Sequence, residues 1–113
     1  MSREFDVIVY GASGFTGRLV AEYMGSTYGT NVNWAMAGRS ETKLAEVREL
    51  IGVSSDIPLV TADADNEASL RDMVKRASCI CTTVGPYQLD GSELVRLCAE
   101  EGTHYVDLSG EPG

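Results

Sequence analysis

Proline is scarce in this chain of 113 residues, with 3 against 12 glycines, and nothing in it approaches the roughly 20 apolar residues needed to cross a bilayer. The amino-terminal apolar run, Val7 to Gly11, covers only five residues before alanine and serine follow. That is neither a signal-peptide core nor a transmembrane segment, and it leads to the expectation of a cytoplasmic protein. Cysteine is equally sparse: Cys79, Cys81 and Cys98 are an odd number with no paired framework. Cys79 and Cys81 share one face of a strand and read as reduced core residues. A metal at Cys79-x-Cys81 lacks a second ligand pair, since the only histidine is His104. Positive charge is also short, with 9 basic against 17 acidic residues and a net charge of -8. Such a chain has no overall attraction for a phosphate backbone or an anionic membrane, so nucleic acid is not an expected partner. A local basic pocket for a small phosphorylated ligand is still compatible with that sum. Repeats and low-complexity tracts are missing too.

What is present is the mix of one globular domain, 43% hydrophobic and 23% charged, able to bury a modest core. Phe5 to Tyr10 is a nearly continuous β-branched and aromatic run, suited to the middle of a covered parallel sheet. Leu19, Val20, Tyr23 and Met24 at helical spacing, with Arg18 and Glu22 among them, predict an amphipathic helix over 15–28. A second strand at 33–37 and a helix at 41–51, capped by Ser40, follow, with Leu44, Val47, Leu50 and Ile51 recurring at helical intervals. A strand at 57–62, a helix at 67–76 carrying Leu70, Met73 and Val74, and a strand at 79–84 come next. The last pair is a helix at 91–101, with Leu94, Val95, Leu97 and Cys98 on one side, and a strand at 104–108. Strands alternating with helices predict an α/β fold: a Rossmann-like, doubly wound parallel sheet in a three-layer α/β/α arrangement. The chain ends where such a fold ordinarily continues, so residues 1–113 read as one truncated domain.

Gly11-Ala12-Ser13-Gly14-Phe15-Thr16-Gly17 joins the first strand to the first helix. In such a turn the first glycine makes the tight bend, the second admits a pyrophosphate close to the backbone, and the third lets the helix approach the sheet. The helix amides then receive phosphate oxygens. At the end of the second strand an NAD site places an acid on the ribose hydroxyls, whereas this chain has Gly38-Arg39-Ser40. Arg39 and the Ser40 hydroxyl suit a 2'-phosphate, with Lys43 one turn further on. NADP is therefore preferred, with NAD as the alternative. Asp63, beyond the third strand, either accepts from the adenine amino group or caps the next turn. Gly85-Pro86-Tyr87 after the fourth strand suits a rigid wall beside the nicotinamide ribose, or a plain structural turn.

No catalytic residue emerges. A Tyr-x-x-x-Lys pair is missing, because Gly91 stands four residues after Tyr87. His104 falls at the amino end of its strand, away from the ligand edge, while Asp107 and Glu111 flank the carboxyl end.

The stretches VIVYGASGFTGRLVAEY, WAMAGRSETKL, TTVGPYQLDG and CAEEGTHYVDLSGE, in that order, resemble the amino-terminal domain of the saccharopine dehydrogenase-like oxidoreductases, including their trans-acting enoyl reductase branch. The resemblance spans nearly the whole chain and is carried most specifically by Val84-Gly85-Pro86-Tyr87 and by residues 105–111. It implies an NADP-binding Rossmann domain followed by a separate domain bearing most substrate and dimer contacts. Gly11, Gly14 and Gly17 match the family's dinucleotide turn, Arg39 its residue after the second strand, and residues 85–87 its loop near the nicotinamide. The expected function is the cofactor domain of an oxidoreductase acting on a small or lipid-derived substrate, in a parent that forms a homodimer. On this reading the isolated chain binds without catalysing. A second reading is an NADP-sensing regulatory or interaction domain without turnover, and a third is a small structural domain with an empty turn.

Overall fold

The computed structural model describes residues 4–12, 15–28, 32–63, 66–82 and 89–107. β1 (Phe5–Tyr10), β2 (Trp34–Gly38), β3 (Leu59–Thr61), β4 (Ala77–Thr82) and β5 (His104–Asp107) form one sheet in the order β3-β2-β1-β4-β5. Every pairing is parallel, and each crossover carries a helix: α1 (Phe15–Thr27), α2 (Glu41–Leu50), α3 (Glu67–Lys75) and α4 (Leu89–Glu101). The order reverses between β1 and β4, the topological switch point of a doubly wound sheet.

The alternation of strand side chains divides the core in two. Ile8, Tyr10 and Ile80 meet Leu70, Met73 and Val74 of α3 and Leu94, Leu97 and Cys98 of α4. Val9, Trp34 and Met36 meet Ala21 of α1 and Leu44 and Val47 of α2 on the opposite face. Both faces are covered, which is why these strands read as continuous apolar runs. Across the outer surface of α3 and α4, Arg71 bonds Glu67, Glu100 and Glu101, and Arg96 bonds Glu67 and Glu100.

Three helices depart from the sequence expectation. On α1 the inward stripe is Gly17, Val20, Ala21 and Met24, while Leu19 and Tyr23 are exposed. Small residues let the helix sit close to the sheet, and that decides the facing over side-chain size. On α4, Val95 is likewise exposed, and on α2 Leu50 is. The third strand is shorter than the apolar run because the Ile57 amide is taken by Ser54 in a turn and Pro58 has none to give, although Ile57 itself is buried. The fourth strand begins two residues early, with Ala77 paired to Phe5 and fully buried. Residues 83 and 84, at its expected end, lie outside the described residues.

Candidate functional site

Register sets the carboxyl ends of the strands on one edge, since Tyr10 pairs with Ala37 on one side and with Thr82 on the other, and Thr82 with Asp107. β1 leaves the sheet at Gly11, whose φ of 86° lies in the left-handed region that favours glycine. The turn is pinned to the neighbouring strand: the Gly11 and Ala12 amides both donate to the Ala37 carbonyl, at 2.9 and 3.1 Å. Gly17 closes it from the helix side. A Cβ at Gly17 would stand 1.9 Å from the Gly11 carbonyl oxygen and 2.8 Å from the Ala12 Cα. The amino end of α1 therefore rests directly on the turn, and only a glycine permits that approach. Phe15 and Thr16 open the helix. Ser13 and Gly14 lie outside the described residues, as do Gly85, Pro86, Tyr87 and Glu111.

β2 ends beside this turn. Gly38 is buried and its carbonyl accepts from the Ala62 amide at 2.9 Å, so the exits of β2 and β3 are tied together. Arg39 comes next, with its side chain 73% exposed and its Nε 4.0 Å from the Asp63 carboxylate. Ser40 has the extended backbone of a helix cap, and its Oγ accepts from the Lys43 amide at 3.3 Å. That bond uses the oxygen as acceptor and leaves the hydroxyl proton for a ligand. Lys43 is exposed on the first turn of α2. Of the two roles open to Asp63, the helix cap falls to Asn66, whose side chain accepts from the Ser69 amide. Asp63 shapes the loop through its backbone, its amide donating to Ser69 Oγ at 2.8 Å and its carbonyl accepting from Asn66 at 2.9 Å.

The residues present fit a dinucleotide phosphate. Gly11, Ala12, Gly17, Arg39 and Ser40 converge at the β1 and β2 exits, and Arg18, on the first turn of α1, has a buried Nε with no hydrogen-bond partner. Sequence reasoning passed over Arg18, although a basic residue directly after the third glycine was a visible signal. It also passed over Gly25, where a Cβ would stand 2.5 Å from Val53 Cγ2.

Other candidates stand elsewhere. His104 pairs with Cys79 at the opposite end of β5, far from the glycine turn, as its sequence position implied. None of the three cysteines is in a disulfide, and burial pushes the Cys98 thiol up to about 11 and raises Cys79, so neither of these two is a thiolate at neutral pH. No group of residues able to hold a metal occurs among the described residues. An open cleft between Asp6, Asn33, Trp34, Asp56 and Pro58 lies at the amino ends of the strands, on the wrong edge for this site.

An open parallel sheet with a glycine turn at its first strand and a helix seated on that turn defines a nucleotide-binding α/β domain of the Rossmann type. The chain belongs, more narrowly, to the family described as the saccharopine dehydrogenase NADP binding domain, which matches residues 7–112. NADP is the cofactor that this family description assigns to the domain. The trans-acting enoyl reductase of Mycobacterium ulcerans is 48% identical over 110 residues, covering 96% of this chain and 26% of that protein. Saccharopine dehydrogenase (L-Glu forming) from Saccharomyces cerevisiae superposes with a TM-score of 0.72 at 16% identity, over 91% of this chain and 21% of that one. Triphenylmethane reductase from Citrobacter sp., solved with NADP(H), gives a TM-score of 0.67 at 18% identity, over 91% of this chain and 36% of that one. The chain thus spans about a quarter of the length of the reductases it matches. No helix among the described residues is long and apolar enough to cross a membrane.

Proposed function

We propose that this domain holds NADP for an oxidoreductase that moves a hydride between the cofactor and a small or lipid-derived substrate. One observation carries the reading: the glycine turn is bonded to Ala37, and an exposed arginine, not an acid, follows two residues later at the same sheet edge. The pyrophosphate belongs at Gly11 to Gly17, with Ala12, Ser13, Gly14, Phe15 and Thr16 between them. The 2'-phosphate belongs at Arg39, Ser40 and Lys43. Arg39 supplies a planar fork for phosphate oxygens, Ser40 a hydroxyl proton and Lys43 a further charge. Asp63 borders the adenine side, and Gly85, Pro86 and Tyr87 border the nicotinamide ribose. When bound, the nicotinamide supplies or accepts the hydride, and the protein fixes which of its faces is presented.

The fraction of the related reductases that this chain spans supports placing the substrate contacts and the dimer interface outside residues 1–113. The net charge of -8 supports a small-molecule partner over nucleic acid, and a cytoplasmic location completes the proposal. Calorimetric titration with NADPH and NADH, on the wild type and on Arg39→Ala, tests it. NADPH binds more tightly than NADH, and the substitution brings NADPH down to the NADH level. A folded protein that binds neither nucleotide refutes the reading.

A further inference from the structure

Six arginines lie among the described residues, and five of them have evident work. Arg71 and Arg96 join the carboxylates of α3 and α4, Arg76 grips Glu4, Arg48 donates to the Ile57 carbonyl at 2.7 Å, and Arg39 faces Asp63. Arg18 alone among them has no carboxylate or carbonyl partner, and its Nε is sealed from solvent. A guanidinium carries five donors and stays charged at any ordinary pH. Burying one of those donors unpaired costs stability, and a folded protein keeps such a cost where an absent partner removes it. The partner that completes it is a hydrogen-bond acceptor, and an anion answers both the open donor and the positive charge.

Position identifies which anion. Arg18 follows Gly17, the residue seated against Gly11 and Ala12, and is the fourth residue of α1. Helical side chains lean toward the amino end of their helix, so a residue in the first turn covers the approach to that end. The amino end of α1 is the one that rests on the glycine turn, whereas Arg39 stands at the exit of β2. We propose that Arg18 is a pyrophosphate-holding residue of the dinucleotide site, its guanidinium adding charge-assisted bonds to those of the α1 amides. The inference rests on the dinucleotide reading given above and assigns it a second arginine with a different task. Arg39 discriminates NADP from NAD, and Arg18 holds the part that both share.

The two arginines separate in one experiment. Arg18→Met keeps the length and apolar stem of the side chain and removes the donors. Affinities for NADPH and NADH are measured by titration on the wild type, Arg18→Met and Arg39→Ala, with thermal melts of each protein with and without ligand. Arg18→Met weakens both nucleotides by the same factor, about tenfold for lost bonds to a charged group. Arg39→Ala weakens NADPH alone. The ligand-free melting temperature of Arg18→Met equals or exceeds that of the wild type, because an unpartnered donor has been removed, while its NADPH-induced stabilisation shrinks. A ligand-free melting temperature well below the wild type makes Arg18 structural and overturns the assignment. Weakening of NADPH alone moves Arg18 to the 2'-phosphate and also overturns it. Unchanged affinities in Arg18→Met, with Arg39→Ala still impaired, remove Arg18 while leaving the dinucleotide site standing. A wild type that binds neither nucleotide removes both readings together.

Discussion

Replacing Gly17 by alanine puts the contact between α1 and the glycine turn to the sharpest test. The added Cβ meets the Gly11 carbonyl oxygen at 1.9 Å, the Gly11 carbonyl carbon at 2.6 Å and the Ala12 Cα at 2.8 Å. All three obstacles are backbone, and Gly11 and Ala12 are themselves bonded to Ala37, so neither partner yields by a rotamer change. Either α1 rises from the sheet or the turn is pushed off β2. Alanine in a helix interior is worth about 1 kcal/mol over glycine. Overpacking costs about 3 kcal/mol, near the upper end of its usual range, when backbone must move. The net expectation is a loss of about 2 kcal/mol, or a fall of roughly 8 °C in melting temperature for a domain of this size. Gly25→Ala is the internal control, since the three atoms nearest its Cβ all belong to the Val53 side chain, with Cγ2 at 2.5 Å. A valine can turn or shift there, and the helix-propensity gain offsets most of the strain. Urea denaturation of the two variants and NADPH titration of both are the assays. Wild-type stability and affinity in Gly17→Ala would refute the seating of α1 on the turn.

Two further outcomes follow from the charges and thiols. Hydrogen bonds from Arg71 and Arg96 hold the Glu100 carboxyl below its ordinary value of 4.5, and Arg76 does the same for Glu4. A depressed folded-state value means that this stabilisation is present above about pH 4.5 and is lost as the pH falls through the lower folded value; Glu100→Gln therefore flattens the decline of melting temperature between pH 6 and 3, and an unaltered slope counts against the network. Cys98 is buried with its thiol raised to about 11, so alkylation of the folded protein at pH 8 leaves it unmodified until denaturant is added; modification at the rate of a free thiol would show that α4 does not cover it.

How far the sequence disclosed this fold depends on what each signal reports. β1 and α3 stand almost where their patterns put them, because a covered central strand is apolar throughout and α3 carries Leu70, Met73 and Val74 on its only apolar face. α1 misled because its apolar residues lie on two faces, and periodicity weighs Leu19 and Tyr23 above Gly17 and Ala21. Inward facing was settled by how closely the helix must approach Gly11, a distance that no hydropathy pattern contains. Ala77 was invisible as a strand residue for the same reason: alanine carries little strand signal, yet here it is fully buried beside α3. In the site, the roles of Gly11 and Gly17 were legible because a turn motif specifies backbone geometry. The state of Arg18 was not, since an orphaned donor is a property of what surrounds a side chain and not of its place in the chain.

The loose pairing of Arg39 with Asp63 bears on how an acidic protein can keep an arginine available to an anion. A close, bidentate carboxylate would satisfy the guanidinium and compete with any incoming anion. At 4.0 Å and with both side chains open to water, this pair is worth about 0 to 1 kcal/mol. It biases Arg39 toward the β2 and β3 exits without neutralising it. A 2'-phosphate brings nearly two charges and several acceptor oxygens to the same fork, and bonds of that kind are roughly twice as strong as neutral ones. The exchange therefore favours the ligand, while the rest of the negative surface discourages larger polyanions. On the function proposed above, selectivity for a small phosphate ester would come from one loosely held arginine at a sheet edge, set against a net charge that repels everything bulkier of the same kind.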